Sequence, residues 1–300
     1  MKSLNVWNCV RTNLVAVGVI AAASFPAPAA AQTSSPGVFE NVGVFFGLDG
    51  SKQPQDLGIN ANMGVRWSVN AGFPIADALN LGAQVGIGQN FSDSAVHVLD
   101  QVEGTSSRRQ TFLTVGVFQR LSRLNWGLAY DASRQTYYDD FSFGQVRGQL
   151  GLEVNEGHEV GVRLTKATNG DTGSMGGTPV QLEPITQVTG YHRLTWTTAA
   201  QTTIFAGFAR GHHNIVWVFP DNSRSENVFV YGAELSVPLS DRFALSGSAN
   251  LVTPASTGTV DAYLGVTFFP GRSGMRAATN RFAPAMQVAN NPEMAINLHR

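Results

Sequence analysis

From Ile59 to Ala71 apolar and polar residues alternate without interruption. Ile59, Ala61, Met63, Val65, Trp67, Val69 and Ala71 fall on one face, and Asn60, Asn62, Gly64, Arg66, Ser68 and Asn70 on the other. A side-chain period of two belongs to the extended strand, so this segment is a strand with one apolar and one polar face. Leu79 to Asn90 repeats the pattern, as do Leu124 to Ser133, Val146 to Val154 and Val160 to Leu164. Weaker versions lie near residues 40–49, 111–120, 185–197, 202–210, 227–237, 242–252 and 259–269. That makes twelve segments of about 10 to 13 residues, the length of a tilted transmembrane strand.

The connections separate a membrane barrel from a soluble one. Gly50–Leu57, Phe91–Gln110, Arg134–Phe143, Ala167–Pro184 and Gly211–Glu226 are long. Between them stand the short Gly72–Ala78, Leu121–Arg123, Asn155–Gly157, Thr198–Gln201 and Pro238–Asp241, with Thr253–Gly258 intermediate. Long loops alternating with short turns mark outer-membrane barrels, and an even strand count returns both ends to the periplasmic side. The prolines agree: Pro54, Pro74, Pro179, Pro184, Pro220, Pro238, Pro254 and Pro270 fall in connections or at strand ends, where no ladder donor is lost. Trp67, Trp126, Tyr130, Trp196, Phe243 and Phe268 lie on apolar faces, several toward strand ends, as an interfacial girdle requires. The fold class is therefore all-β: a closed antiparallel up-and-down transmembrane barrel of about twelve strands.

Composition enters here. Charged residues make up 14% of the chain, against roughly 25% in soluble domains, yet overall hydropathy is near zero. Apolar and polar residues are thus finely mixed, as alternating strands mix them. Residues 1–31 read as a secretory signal peptide, with Lys2 and Arg11, the apolar run Leu14–Phe25 and a small-residue site at Ala29–Ala31. That run is too short for a spanning helix, which needs about 20 residues. Residues 32–37 make a linker, 38–270 the barrel and 271–300 a C-terminal periplasmic tail. The tail is rich in Asn, Ala, Arg and Pro without alternation, and is either a periplasmic extension or a segment folded against the barrel's lower mouth. Cys9 lies within the leader, so the mature chain has no disulfide, thiol nucleophile or cysteine-bound metal. Its net charge is −3 once Lys2 and Arg11 are removed, which does not suggest nucleic acid.

Several stretches resemble an uncharacterised domain-of-unknown-function family of bacterial envelope proteins. They are Phe46-Gly-Leu-Asp-Gly-Ser-Lys-Gln-Pro-Gln-Asp-Leu-Gly58, Val117-Phe-Gln-Arg120, Trp126-Gly-Leu-Ala-Tyr-Asp131, Tyr137-Tyr-Asp-Asp140, Arg281-Phe-Ala-Pro284 and Val288-Ala-Asn-Asn291. The resemblance implies a shared architecture and carries over no activity and no site residues. One departure from outer-membrane barrels in general is that about 30 residues follow the aromatic-ended strand Tyr263–Phe269.

The face turned to the lumen carries both charge signs: Arg66, Arg147, Arg163 and Arg193 with Asp131, Glu153, Glu159, Glu234 and Asp261. These are either the lining of a polar conduit or a structural network, since buried charge persists when paired. Other motifs carry less. His212-His213 are adjacent and so point to opposite faces of a strand, which argues against a shared metal, and Ile215–Phe219 continues a strand pair above the membrane. His192 lies on the lipid face without a predicted serine or carboxylate beside it, so it reads as an interfacial histidine rather than part of a triad. Asn169–Gly177 lacks the helix and Lys-Ser/Thr pair of a phosphate loop. Asp139-Asp140 read as a solvated loop tip. No cofactor and no metal are expected.

Three functional readings follow. A passive, weakly selective channel for small polar solutes comes first, and a structural or adhesive envelope barrel without conductance second. A lipid-acting membrane enzyme is a remote third, and the expectation is that the chain is not an enzyme. Expected partners are outer-membrane lipid, the barrel-insertion machinery and small polar solutes.

Overall fold

The computed structural model describes residues 39–56, 61–95, 107–175, 177–210, 228–253, 259–277 and 280–299. The leader and linker, His212-His213 and Ile215–Phe219 lie outside the described residues. Twelve strands close into one antiparallel barrel. They are β1 (Val42–Lys52), β2 (Asn62–Ala76), β3 (Leu81–Ser94), β4 (Arg108–Arg120), β5 (Leu124–Tyr137), β6 (Asp139–Asn155) and β7 (His158–Asn169), then, after the inserted β8 (Asp171–Met175) and β9 (Thr178–Pro184), β10 (Thr186–Thr195), β11 (Gln201–Arg210), β12 (Val228–Pro238), β13 (Phe243–Thr253) and β14 (Thr259–Phe268). β1 closes the ring on β14 from Val44↔Phe268 to Lys52↔Val260. Closure matters because an open sheet edge facing lipid would leave backbone donors and acceptors without partners.

Each of the twelve alternating segments is one of these strands, and the alternation sorts side chains as the period requires. Val65, Val85, Leu128, Leu150 and Val162 are exposed on the outer face. Arg66, Gln84 and Asp131 are buried inside, with Gln149 and Arg163 partly so. The five short turns join β2–β3, β4–β5, β6–β7, β10–β11 and β12–β13, all at one end of the barrel. At that end Trp126 Nε1 donates to Gln119 Oε1 at 2.8 Å, and Trp196 Nε1 to Thr202 Oγ1 at 3.1 Å.

Three segments depart from the sequence reading. Arg134–Phe143 is no long loop: β5 and β6 stay paired up to Tyr137↔Asp139, turning at Tyr138 with φ 65°. The extension holds because its inward residues, Gln135, Tyr137, Phe141 and Phe143, are buried rather than left in water. Ala167–Pro184 contains the hairpin β8–β9. The tail also differs: Phe282 to Leu298 is largely buried, and its last strand, β15 (Ile296–His299), pairs antiparallel with β9 from Ile296↔Pro184 to His299↔Gln181. Neither a free periplasmic extension nor a contact at the lower mouth alone describes it. Its backbone groups find partners on the barrel's polar inner face.

Candidate functional site: the occluded lumen

The tail enters at the short-turn end. There Arg120 Nη2 reaches the carbonyls of Ala283 and Pro284 at 3.4 and 3.3 Å. Gln84 then brackets the chain, accepting from the amides of Ala285 and Met286 at 3.0 and 3.1 Å and donating to Met286 O at 3.0 Å. Asn70 donates to the same carbonyl at 2.9 Å. Arg147 Nη2 donates to Gln287 O at 2.8 Å, and Ala289 N donates to Thr114 Oγ1 at 2.9 Å. Further along, Asn250 Nδ2 reaches Pro292 O at 2.9 Å and Gln145 Nε2 reaches Glu293 O at 3.0 Å. An irregular chain buried without such partners would be costly at each unpaired group.

Glycines on the inner face make room for it. A Cβ at Gly72 would stand 2.1 Å from the Phe282 carbonyl oxygen, and one at Gly86 would stand 2.4 Å from Val288 Cγ2. At the far end the tail's Val288, Met294, Ile296 and Leu298 join Phe112, Phe141, Phe143 and Leu182 in an apolar cluster. Beside the cluster, Asn291 accepts from Gln110 at 2.7 Å and donates to Asp49 at 3.2 Å. Asp56, which ends the single 3-10 turn Pro54–Asp56 in the long connection after β1, is capped by Gln53 N at 2.7 Å and Tyr137 OH at 3.1 Å. Burial pushes its carboxyl above the usual carboxylate range, against the opposing pull of Arg108 and these hydrogen bonds.

The inward charges are mostly paired. Arg147 grips Asp131 through Nε and Nη2 at 2.5 and 2.9 Å. Arg163 forks onto both oxygens of Glu234. Arg193 Nη1 meets Glu159 Oε1 at 3.0 Å, where Tyr191 OH also donates at 2.7 Å. Glu153 is half-buried opposite Glu159 in the register. Asp261 is fully buried near the far end and accepts from Gln53 Nε2 at 3.4 Å. Arg66 is 3% exposed and has no ion pair among the described residues: its guanidinium lies over the rings of Tyr263 and Phe45, 4.2 and 5.2 Å from their centroids. Between the tail and the remaining wall lies a cavity of about 300 Å3, reaching from Asn41 and Thr267 at the short-turn end to Asn250 and Pro292.

The other motifs resolve into local contacts. His192 faces outward, with its Nε2 3.2 Å from His158 Nδ1. Asp139 accepts from Ser174 N at 2.9 Å, and Asp140 accepts from Thr136 and Arg134 at 2.6 and 3.0 Å. Both residues are exposed, as a solvated tip requires, and their hydrogen bonds also tie the hairpin tip together. Asn169–Gly177 spans the start of the β8–β9 hairpin. Among the described residues no three His, Cys, Asp or Glu side chains stand in a metal-holding group.

The alternation put the charged residues and Gln84 on the inward face, but it did not single out Gln84, Gln110, Thr114 or Asn250 as contacts for the tail. One signal was present. Glycine inside a strand often marks a close backbone approach, and Gly72, Gly86, Gly88 and Gly127 all lie along the tail's path.

Residues 41–296 match the model of a family described as a family of unknown function, DUF6666, and the matched span includes most of the lumen tail. No curated protein matches the chain. Among solved structures, a membrane protein from a study of in-meso crystallization is similar, at TM-score 0.50 and 9% identity over 85% of this chain and 100% of that one. The translocator domain of the autotransporter NalP from Neisseria meningitidis aligns at TM-score 0.47 and 12% identity, over 87% and 96% of the two chains. The KdgM porin aligns at TM-score 0.42 and 9% identity, over 75% and 98%. The fold is that of outer-membrane barrels.

Proposed function

We propose, on the premise that this chain belongs to the DUF6666 family of unknown function, that it is an outer-membrane barrel held shut by its own C-terminal segment. In this reading the short turns and the two ends of the strand series, near Val42 and Phe268, face the periplasm, the long connections face outward, and the tail's last strand reaches that outward end beside β9. The observation that carries it is the tail itself, hydrogen-bonded along the lumen by Gln84, Arg147, Thr114 and Asn250 and anchored as a strand on β9. A path blocked by ordered backbone has no standing aqueous route, so the resting chain acts as a closed envelope barrel and not as an open pore. Catalysis has no part in the proposal. What supports leaving it out is that His192 is engaged by a second histidine instead of the serine and carboxylate of a triad. Its partners are outer-membrane lipid around the apolar belt and the insertion machinery that delivers barrels.

Conductance in a planar bilayer tests the reading. The full chain should give no steady current. The same chain carrying Ile296→Asp and Leu298→Asp, which place charge in the apolar cluster that holds the tail's end, should give discrete current steps. Steady ohmic current from the parent would replace the closed barrel with the passive channel for small polar solutes.

A further inference from the structure

On the outer wall at the long-connection end, the register lines up three side chains on three neighbouring strands. Gln187 pairs with Thr165, so the next residues along, Thr186 on β10 and Lys166 on β7, stand side by side, and Thr186 also pairs with Arg210 on β11. All three are exposed, while their neighbours Thr165, Ile185 and Ala209 are buried inside. Other outward bases of this rim are engaged: Asp140 holds Arg134 at 3.0 Å, and Arg109 lies over the Phe91 ring, 5.5 Å from its centroid. The Lys166 and Arg210 side chains have no ion-pair or hydrogen-bond partner among the described residues. Asp171, the acid that follows β7, is turned to the backbone amides of Ser142 and Thr172 at 2.8 and 2.9 Å. The row also sits at a defined depth. Directly below it Leu164, Val188 and Phe208 form an apolar row exposed to the outside. From Thr202, which Trp196 touches at the short-turn end, to Arg210, β11 covers about 27 Å along its length. At the usual tilt that is roughly 20 Å across the membrane, so Lys166 and Arg210 leave an apolar band about 25 Å tall at the level of the headgroups.

We propose that Lys166, Thr186 and Arg210 form a headgroup site for a phosphorylated glycolipid of the outer leaflet, with one phosphate held between the two bases. Strands two apart put these bases about 10 Å from each other at the backbone, and their long stems carry both charges onto a phosphate above Thr186. The Thr186 hydroxyl accepts from Ala167 N at 3.3 Å, which leaves its own proton to donate to a phosphate oxygen. Two bases around a hydroxyl match a phosphomonoester, with a charge of about −1.5 to −2, better than the singly charged phosphodiester of a phospholipid. The apolar row receives the acyl chains. Beneath it Gly190 stands between Val162 and Ala206, with no atom nearer than 3.9 Å to where a Cβ would be, so the wall is indented there. The assignment rests on the closed-barrel reading only for which end faces outward, and not on the tail.

Calorimetric titration of the refolded full chain in detergent micelles tests this, with lipid A carrying its phosphates as the probe and dephosphorylated lipid A and phosphatidylglycerol as controls. The phosphorylated glycolipid should bind tenfold or more tightly than either control. A base at a membrane surface contributes about fivefold to binding an anionic headgroup, so Lys166→Gln and Arg210→Gln should each weaken binding by that factor and the double variant by about 25-fold. Lys52→Gln, which removes an outward base elsewhere on the rim, should change nothing. All these side chains lie outside the barrel, and heat-dependent gel mobility checks that each variant is folded. Equal binding with and without phosphates overturns the proposal, as does an equal loss from Lys52→Gln or phosphatidylglycerol binding as tightly as the glycolipid. Thr172→Cys, in the β8–β9 hairpin, reports orientation separately when intact cells are treated with an impermeant maleimide. An unlabelled cysteine there would overturn the outward reading and with it the outer-leaflet occupant, so failure of the site and failure of the orientation are distinguishable.

Discussion

Replacing Arg147 by methionine keeps most of the apolar stem and removes the guanidinium from a fully buried carboxylate. Asp131 is 0% exposed and takes two hydrogen bonds from Arg147, at 2.5 and 2.9 Å. It would keep Thr114 Oγ1 at 2.7 Å and Gln145 Nε2 at 2.9 Å, neither of which carries charge. Removing one partner of a buried pair costs about 3–5 kcal/mol, whereas exchanging both for neutral groups is often close to neutral. The double variant Arg147→Met with Asp131→Asn should therefore recover about half of the loss. It should not recover all of it, because Arg147 Nη2 also donates to Gln287 O at 2.8 Å, a charged hydrogen bond that contributes about 1.5–3 kcal/mol. The double variant should then be about 2 kcal/mol more stable than Arg147→Met alone, and well short of the sum of the two single costs. Urea unfolding in lipid vesicles, followed by tryptophan fluorescence, measures all three variants against the parent. If the two single costs simply add to within about 0.5 kcal/mol, the pair does not hold the lumen as described.

Other outcomes follow from the same geometry. Leu150→Arg, on the lipid face between Trp126 and Val162, should destabilise the barrel by about 2–4 kcal/mol, and the inward Gln149→Arg should do far less; equal effects in the unfolding assay would mean that the faces are misassigned. Gly72→Ala brings a Cβ to 2.1 Å from the Phe282 carbonyl, so the tail should lift and become open to added protease, while Gly148→Ala, with open space around it, should leave protection unchanged. Asp140 is held below the ordinary carboxylate range by the Thr136 hydroxyl first and Arg134 second. The hairpin tip should thus keep this contribution above pH 3.8 and lose it as pH falls through the lower folded value. Thr136→Val should move the carboxyl's NMR titration midpoint upward, and an unmoved midpoint would refute the assignment.

The wall of the barrel was legible because period-two alternation is a local property. Each strand needs only its own residues to declare which face meets lipid, and Val65 beside Arg66 or Leu150 beside Gln149 settles the matter. The Arg134–Phe143 segment was misread for a related reason. Gln135, Tyr137, Phe141 and Phe143 continue the inward series, but Phe and Tyr on the lumen side break the apolar-out rule unless something apolar lies inside. That something is the tail, more than 140 residues later in the chain. Its own sequence gave no period because it is neither strand nor helix over most of its length. What it obeys is a set of pairings with Gln84, Thr114 and Asn250, and such pairings have no one-dimensional signature.

The number of strands explains why a tail should be there at all. An eight-stranded barrel is filled by its own side chains, and diameter grows with strand number, so twelve strands leave more lumen than inward residues can occupy. Unfilled space next to paired charges would let water loosen the pairs, and space beside Phe112, Phe141 and Phe143 would expose rings to it. A polypeptide segment of small residues is well suited to filling that volume. Ala283, Ala285, Ala289 and Ala295 keep it thin, prolines at 284 and 292 limit its freedom before it docks, and Gly72, Gly86, Gly88 and Gly127 thin the wall opposite it. Filling is also incomplete in a particular place. Along β2 to β6 the tail touches the wall, but across from it the wall carrying Arg163, Arg193 and Glu234 faces the cavity with Arg66 and Glu293 at its border. A filler selected for packing alone would have put an apolar residue where Glu293 stands, since a carboxylate with no cation within ion-pair distance among the described residues recovers little of what its desolvation costs.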